Sequence, residues 1–333
     1  MAVPPPLDLQ RFRPFMVRSC SFAEIYHLLK GEESVAIFPP AEEHVQAEIK
    51  YYIQKKSRLK SLLLFYQAMY RAQRKYIGEV PSIALERIFS GISENDEPIL
   101  LKNGLQISLA VYQEFMQSLL EDACKYLLPE LTTSQSKVLE SLLTKTITDC
   151  VIAEKIRKPT NLSLPCLQSL LFERQNSLTE KELAVMAQII RAACQIEYIR
   201  IAQQAQTLSL FKNWQQGRCP VCGEKPMLAI LRQEDGARIL ECGLCHTQWP
   251  APRLACVQCG NTNQDSLGFF FVPGQEFRRV YVCNDCKYYL KTIVLKETNR
   301  DLIPDLENVV TYFLDNVAQK EGYGYKKLQT EIN

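Results

Sequence analysis

The sequence predicts a mainly α N-terminal helical domain, two small β domains of the zinc-ribbon type, and a C-terminal helix. Three observations carry this prediction. Apolar residues recur every three or four positions over much of the first 213 residues, as on the buried side of helices. Four Cys-x-x-C pairs then follow between Cys219 and Cys286, among short runs of β-forming residues. After Leu290 the helical spacing returns. We expect a helical domain over 1–213, ribbons over 214–250 and 251–295, and a helix with a tail over 296–333.

Three long helices stand out in the N-terminal part. One is predicted from Ile49 to Tyr70 and a second from Leu105 to Leu128, which Pro129 ends because proline cannot continue a helix. The third begins at Thr179, where Glu182 three residues later completes a capping box. Its predicted buried stripe comprises Leu183, Met186, Ile190, Cys194, Tyr198, Ile201, Ala205 and Leu208.

Each ribbon is predicted to contain one hairpin. In the first, residues 227–231 and 237–241 flank Asp235-Gly236, a strong turn signal because glycine accepts a positive φ. In the second, residues 267–272 and 277–282 flank Pro273-Gly274. The C-terminal stripe (Leu306, Val309, Val310, Phe313 and Val317) needs burial, so we expect it to pack on a ribbon or on the helical domain, with Gly322 as its C-cap.

The cysteine spacing indicates two four-thiolate metal sites. Consecutive pairing gives C-x2-C-x19-C-x2-C and C-x2-C-x23-C-x2-C, in which two turns joined by a hairpin can surround a tetrahedral ion. Disulfides and an exchange-active dithiol are disfavoured in a reducing compartment. A cross-braced arrangement, which joins the first pair with the third, stays open. The predicted ligands are Cys219, Cys222, Cys242 and Cys245 for one site, and Cys256, Cys259, Cys283 and Cys286 for the other.

Metal would supply stability that the ribbons lack. Each ribbon spans about 30 residues, fewer than the ~40 below which an apolar core alone rarely suffices. Tetrathiolate spacing accepts either Fe or Zn, so two metal ions are expected without a choice between them. Gly223 and Gly260, directly after the second cysteine of a pair, would let backbone N–H groups turn towards sulfur.

The remaining cysteines and His246 are given structural interpretations. His246 follows Cys245 and is interpreted as a polar surface residue, with tuning of the metal as the alternative. The other five cysteines have no Cys-x-x-C spacing and are predicted to be core residues: Cys20, Cys124, Cys150, Cys166 and Cys194.

Charge and hydropathy narrow the possible partners. A formal charge of +2, and nine Lys/Arg against seven Asp/Glu over residues 218–291, give little attraction to nucleic acid. The N-terminus lacks a signal-peptide run, and the longest uninterrupted apolar block, Leu62–Tyr66, is far shorter than a membrane span. We therefore expect a cytoplasmic protein that binds neither nucleic acid nor membrane. Homo-oligomerisation stays open.

The cysteine-rich segment and the C-terminus contain several short motifs. They begin with CPVCG at 219–223, L-x-C-x-L-C-x-T-x-W from Leu240 to Trp249, and Arg253 before Cys256. They continue with C-x-D-C-x-x-Y-L-K at 283–291 and the LD and GY pairs at 314–315 and 322–323. In these motifs the chain resembles the FdhE family of formate dehydrogenase accessory proteins.

The resemblance implies a helical domain followed by two rubredoxin-like ribbons, in a cytoplasmic protein that is not itself an enzyme. It also implies an assembly chaperone that binds the catalytic subunit of formate dehydrogenase before export. Trp249 and Arg253, between the ribbons, are candidate partner contacts because Trp and Arg are enriched at interface hot spots. Trp249 sealing the ribbon junction is the structural alternative. A rubredoxin-like redox protein acting on the client's metal centre is the alternative function.

Overall fold

The computed structural model describes residues 10–12, 38–79, 97–101, 105, 107–174, 177–207, 214 and 216–324. In this part of the chain, helices precede a β-rich region and helical structure follows it, as predicted, although two short helices stand where one was expected. The helices are α1 Glu42–Lys55, α2 Lys60–Glu79, α3 Gln113–Tyr126, α4 Thr133–Thr148, α5 Cys150–Lys155, α6 Leu164–Arg174, α7 Glu180–Thr207, α8 Pro304–Val310 and α9 Tyr312–Lys320.

Helix α7 lies at the centre of the helical part and packs against α2, α3 and α6. Its predicted stripe is buried from Leu183 to Ala205, while Leu208 lies outside the described residues. The capping box is confirmed, since the Thr179 N–H donates to Glu182 at 2.8 Å and the Glu182 N–H donates to Thr179 Oγ1 at 3.3 Å. A long apolar helix thus provides the surface on which the other elements pack.

Two predicted helices differ from the structure. The one expected from Ile49 to Tyr70 is two helices, because Lys56 (φ −138°, ψ 62°) leaves the helical region and a 3₁₀ turn follows at Ser57–Leu59. The one expected from Leu105 begins later, since a 3₁₀ turn at Leu109–Tyr112 precedes α3. Both stretches keep their apolar periodicity across the break, which is why the pattern does not reveal it.

The strands form one sheet. They are β1 Gln10–Phe12, β2 Pro226–Leu231, β3 Arg238–Cys242, β4 Gln248–Ala251, β5 Leu267–Phe271, β6 Arg278–Cys283 and β7 Tyr289–Val294, in the order β1-β5-β6-β7-β2-β3-β4. Both predicted hairpins are present, with Gly236 at φ +68° and Gly274 at φ +81° in their turns. Strands β1, β4 and β7 were not predicted, and β1 lies in the region expected to be helical.

The two ribbons meet edge to edge in this sheet. Strand β7 of the second ribbon pairs in parallel with β2 of the first, with Ile230 opposite Ile293. All other strand pairs are antiparallel. The first ribbon also shares its core with the helices, because Leu240 and Trp249 belong to the same buried apolar cluster as Ile190 of α7. The division at 213, 250 and 295 stays a prediction.

The C-terminal stripe packs on both surfaces that the sequence suggested. Leu306 and Val310 of α8 lie in a buried cluster with Tyr52 and Tyr70 of α1 and α2. Phe313 and Val317 of α9 are partly buried against another cluster, which includes Phe270 and Val280 of the sheet. The fully buried members of that cluster from α9 are Leu314 and Ala318, which the predicted stripe did not include. The predicted single helix is interrupted at Thr311 (φ −105°, ψ 16°), and Gly322 follows α9 at φ +83°.

No helix among those described, including the 28-residue α7, combines the length and apolar character needed to cross a bilayer.

Candidate metal centres

The first group of cysteines lies where two turns of the first ribbon meet. The Sγ atoms of Cys219 and Cys245 are 3.4 Å apart, those of Cys222 and Cys242 are 3.4 Å apart, and those of Cys222 and Cys245 are 3.7 Å apart. All four side chains are buried. The turns before β2 and after β3 therefore bring four sulfurs into one compact group.

The second group repeats this arrangement in the second ribbon. The Sγ atoms of Cys256 and Cys286 are 3.5 Å apart, and those of Cys259 and Cys283 are 3.8 Å apart. Within each group all four sulfurs lie within 4.8 Å of one another. The grouping follows consecutive pairing along the chain and is not cross-braced.

These separations fit a metal ion better than a disulfide. A tetrahedron with Zn–S bonds of ~2.3 Å has edges of ~3.8 Å, close to the observed distances between sulfurs. A disulfide would need ~2.05 Å, and all eight thiols are free. The residues present could therefore hold one ion in each group. An all-sulfur donor set suits Zn or Fe and does not distinguish them.

The residue after the second cysteine has a left-handed backbone in each of the four turns. It is Gly223 (φ 75°), His246 (φ 54°), Gly260 (φ 71°) and Lys287 (φ 59°). In the first three turns its N–H donates to the carbonyl oxygen of the first cysteine, at 2.8 to 3.1 Å. The sequence predicted this turn position for the two glycines but not for His246 and Lys287. Aligning the four turns on their cysteines would have placed both residues at it.

The pKa shifts of the side chains in the first group favour a bound cation. Burial raises the pKa of Cys222 and of Cys245, and hydrogen bonding with Cys219 raises both further. Burial and the negative charge of Cys242 raise the pKa of the nearby Glu224 to about 7. Although burial opposes it, hydrogen bonds from the other three thiols hold the pKa of Cys219 well below its usual value. The group thus favours one thiolate, and further negative charge among these buried thiols is unfavourable unless a metal ion balances it.

The interpretation of His246 as a surface residue is wrong. Its side chain is buried, stacks on Phe38 with ring centroids 3.6 Å apart, and places Nδ1 3.3 Å from Glu241 Oε1. Burial opposes the charged imidazole, but Asp305 and Glu241 outweigh it and raise the pKa of His246. The helical part and α8 cover this turn, which spacing along the chain does not indicate.

The prediction for the isolated cysteines holds in part. Cys194 is buried in α7, and burial raises its pKa to about 12. Cys124 is half-buried. Cys150 and Cys166 are exposed, so the core interpretation is wrong for them, because both lie at the start of short helices on the surface. Cys20 lies outside the described residues.

The two candidate partner contacts differ in exposure. Trp249 is 1% exposed, and its indole N–H donates to the Gln216 carbonyl oxygen at 3.1 Å. Such burial favours the structural alternative for Trp249. Arg253 is half-buried and donates from Nη1 to the Gly236 carbonyl oxygen at 3.4 Å. Among the described residues, no carboxylate forms an ion pair with Arg253.

A cavity of about 30 Å³ adjoins the second group and is lined by Arg238, Arg253, Cys256, Cys283 and Tyr281, among others. Arg238 is 3% exposed and donates from Nη1 to the carbonyl oxygens of Pro252 and Ala255, at 3.1 and 3.0 Å. Its Nε has no hydrogen-bond partner in the described structure. Burial lowers the pKa of Arg238 to about 10. The cavity is therefore basic and is large enough for one or two small polar groups.

Comparison with known proteins points to one family. The model of the FdhE central domain matches residues 218–253, which contain the first cysteine group. An FdhE homologue from Aquifex aeolicus (strain VF5) is 38% identical over 115 residues, or 34% of this chain and 40% of the relative. One from Haemophilus influenzae (strain PittEE) is 26% identical over 183 residues, or 54% of this chain and 59% of the relative. The chain thus spans roughly half the length of these curated relatives.

The solved structures give the same result for the fold. The crystal structure of the FdhE protein from Pseudomonas aeruginosa has a TM-score of 0.57 and 18% sequence identity, and the match covers 86% of this chain and 94% of that chain. Since the structural match covers most of the chain, it includes helical residues as well as the sheet. The chain therefore has the fold of an FdhE protein, and its predicted resemblance to the FdhE family is confirmed.

Proposed function

We propose that this protein is an accessory protein of formate dehydrogenase that acts in assembly and catalyses no reaction itself. The observation that carries the proposal is the pair of four-sulfur groups, the first of which lies in the segment similar to the FdhE central domain. In this proposal the protein binds the catalytic subunit of formate dehydrogenase in the cytoplasm during maturation, before export.

Each four-cysteine group binds one Zn or Fe ion in this proposal. The ligands are Cys219, Cys222, Cys242 and Cys245 in the first site, and Cys256, Cys259, Cys283 and Cys286 in the second. The bound ion supplies positive charge among the thiolates and ties each hairpin to its flanking turns. The chain itself supplies the left-handed residues and backbone hydrogen bonds that hold these turns.

Arg253 is the proposed contact with the partner, whereas the buried Trp249, in β4 shortly before it, is proposed to act structurally. Its guanidinium borders the basic cavity and has no carboxylate partner among the described residues, so an acidic group on the client would complement it. Half-burial also limits the side-chain entropy that Arg253 loses on binding.

Affinity purification tests this function. The tagged full chain would be recovered without air from formate-respiring cells, with co-purified proteins identified by mass spectrometry and metals by elemental analysis. We expect the catalytic subunit and two metal ions per chain. Arg253→Ala should weaken capture, whereas Arg232→Ala, on the neighbouring hairpin, should leave it unchanged. Recovery of the metal-loaded chain without the catalytic subunit would contradict the proposed client.

The all-sulfur donor sets also favour a second candidate, a rubredoxin-like redox protein that acts on the client's metal centre. Iron held by four thiolates can change its oxidation state, whereas zinc cannot. Visible absorption from ferric thiolate in anaerobically purified protein, lost on reduction, would support this candidate. Colourless zinc-loaded protein that fully supports maturation would exclude it.

A further inference from the structure

The two cysteine groups differ in how far the protein covers them. In the first group Cys219, Cys222 and Cys242 are fully buried and Cys245 is 2% exposed. In the second group Cys259 is exposed and Cys286 is half-buried. One side of the second site therefore faces solvent, whereas the first site has no accessible sulfur.

The residues between the cysteines account for part of this difference. The first site has Pro220-Val221 and Gly243-Leu244 between its cysteines, and Pro220, Val221 and Leu244 are buried. The second site has Val257-Gln258 and Asn284-Asp285 at these positions, and Gln258, Asn284 and Asp285 are exposed. Apolar residues thus turn the first site inwards, while polar residues leave the second at the surface.

The helical part also holds the turns of the first site through backbone groups. The N–H groups of Ile99 and Leu100 donate to the carbonyl oxygens of Pro220 and Val221, at 2.9 and 2.8 Å. The side chains of Arg191 and Gln195 both donate to the carbonyl oxygen of Gly243, at 2.8 and 3.1 Å. An external ligand could reach a sulfur of the first site only after these contacts open.

Among the described residues, the N-terminal helical part donates no such backbone hydrogen bonds to the turns of the second site. The residues after α9 contact only its second turn, where the Gly324 N–H donates to Lys287 O at 2.8 Å and the Tyr323 hydroxyl donates to Asn284 Oδ1 at 2.7 Å.

The first turn, which holds Cys259, is closed by local hydrogen bonds, in which the Gly260 N–H donates to Cys256 O and the Cys256 N–H donates to Asn261 O, both at 2.8 Å. Local opening needs less free energy where few buried contacts are lost. Ligand substitution at Cys259 therefore requires no separation of the ribbon from the helices.

We infer that the two sites have different roles: the first holds a permanent structural ion, and the second exchanges its ion with external ligands through Cys259. The exchanging ligand belongs to the class of thiols and chelators that compete for tetrathiolate metals. One bond from the metal to Cys259 Sγ breaks as one bond to the incoming ligand forms, with no change of oxidation state. This inference rests on the metal occupancy in the proposed function but not on the client.

Metal-release kinetics of the full chain loaded with two zinc equivalents test the inference. On challenge with the chromogenic chelator 4-(2-pyridylazo)resorcinol, one equivalent should leave at least about tenfold faster than the other, as expected for local rather than wider opening. Release of both equivalents at a single rate would overturn the inference. A chain that never binds two equivalents would overturn the metal assignment as well.

Alkylation identifies which site reacts. In the zinc-loaded protein, brief iodoacetamide treatment and peptide mass spectrometry should show Cys259 and Cys286 modified before the four cysteines of the first site. Exposed Cys150 and Cys166 mark full reactivity, and buried Cys194 marks protection. Cys259→Ser should accelerate the fast phase and leave the slow one unchanged. Earlier modification of the first site, or acceleration of both phases, would contradict the assignment.

Discussion

A buried ion pair joins the sheet to the C-terminal helices and gives a measurable pH dependence. Arg278 of β6 donates from Nε and Nη2 to the carboxylate of Glu307 in α8, at 2.7 and 2.9 Å, and the Tyr52 hydroxyl of α1 donates to the same carboxylate. Arg278 and Glu307 are 7% and 1% exposed. Arg278→Met would keep most of the side-chain volume and leave this carboxylate without its cation.

The size of the effect follows from the pKa of Glu307. Burial and, after it, the charge of Glu48 raise the pKa of Glu307 to about 8, while the hydrogen bonds from Arg278 favour the charged form. Arg278→Met removes these hydrogen bonds and therefore raises the pKa of Glu307 above its native value, further from ~4.3 in the unfolded chain. Above about pH 8 the folded variant then holds more protons at Glu307 than the folded native protein, so the stability difference between the two grows as pH rises. The electrostatic part of the loss should be small at about pH 6, where Glu307 is protonated in both proteins, and should approach about 3–5 kcal/mol near pH 10, the cost of breaking a buried ion pair.

Urea denaturation at several pH values between these limits would measure the effect, as the difference in free energy of unfolding from the native protein. Arg279→Met is the matched control, because this neighbouring arginine pairs with the more exposed Glu297 and should cost less than about 1 kcal/mol at every pH. In a Glu307→Leu background, Arg278→Met should change the free energy of unfolding by the same amount at every pH. A loss that does not change with pH would refute the assignment of a buried, uncompensated carboxylate.

Three further predictions concern the cysteine turns. Gly217→Ala should weaken metal binding at the second site, because a Cβ at Gly217 would lie 1.8 Å from the Val257 carbonyl oxygen. Faster metal release from that site would show the effect. Gly260→Ala should lower the free energy of unfolding by about 1–2 kcal/mol, the cost of a left-handed backbone alone. Gly223→Ala should lower it more, because its Cβ would also lie 2.7 Å from the Leu101 side chain. Urea denaturation of both variants would measure the difference. Removal of both metals should expose the chain after Trp214 to protease with little loss of helical circular dichroism. Unchanged proteolysis would contradict the structural role of the metals.

The sequence is most informative where one local pattern determines one local structure. The cysteine turns and the two hairpins depend on residues close in the chain, and Gly236 and Gly274 both adopt the positive φ that their turns require. The capping box at Thr179 is likewise local. These features are therefore found within a residue or two of their predicted positions.

Features that depend on distant partners were not predictable in this way. The parallel pairing of β7 with β2 joins residues about 60 positions apart and carries no turn signal. Strand β1 pairs with β5 from the other end of the chain. The burial of His246 depends on Phe38, and the sequence between them gives no sign of this contact. Tertiary packing thus determines the strand pairing and the burial that local sequence patterns do not predict.

The sequence predicts the exposure of the metal sites only in part. The residues between the cysteines, Pro220-Val221 in one site and Asn284-Asp285 in the other, already distinguish an apolar turn from a polar one. What they do not show is the partner that covers the apolar turn, which the backbone of Ile99 and Leu100 provides. Because β7 and β2 are paired, the covered site anchors the exposed one to the helical part without enclosing it. A tetrathiolate site can in this way be held rigidly and still present a sulfur to solvent.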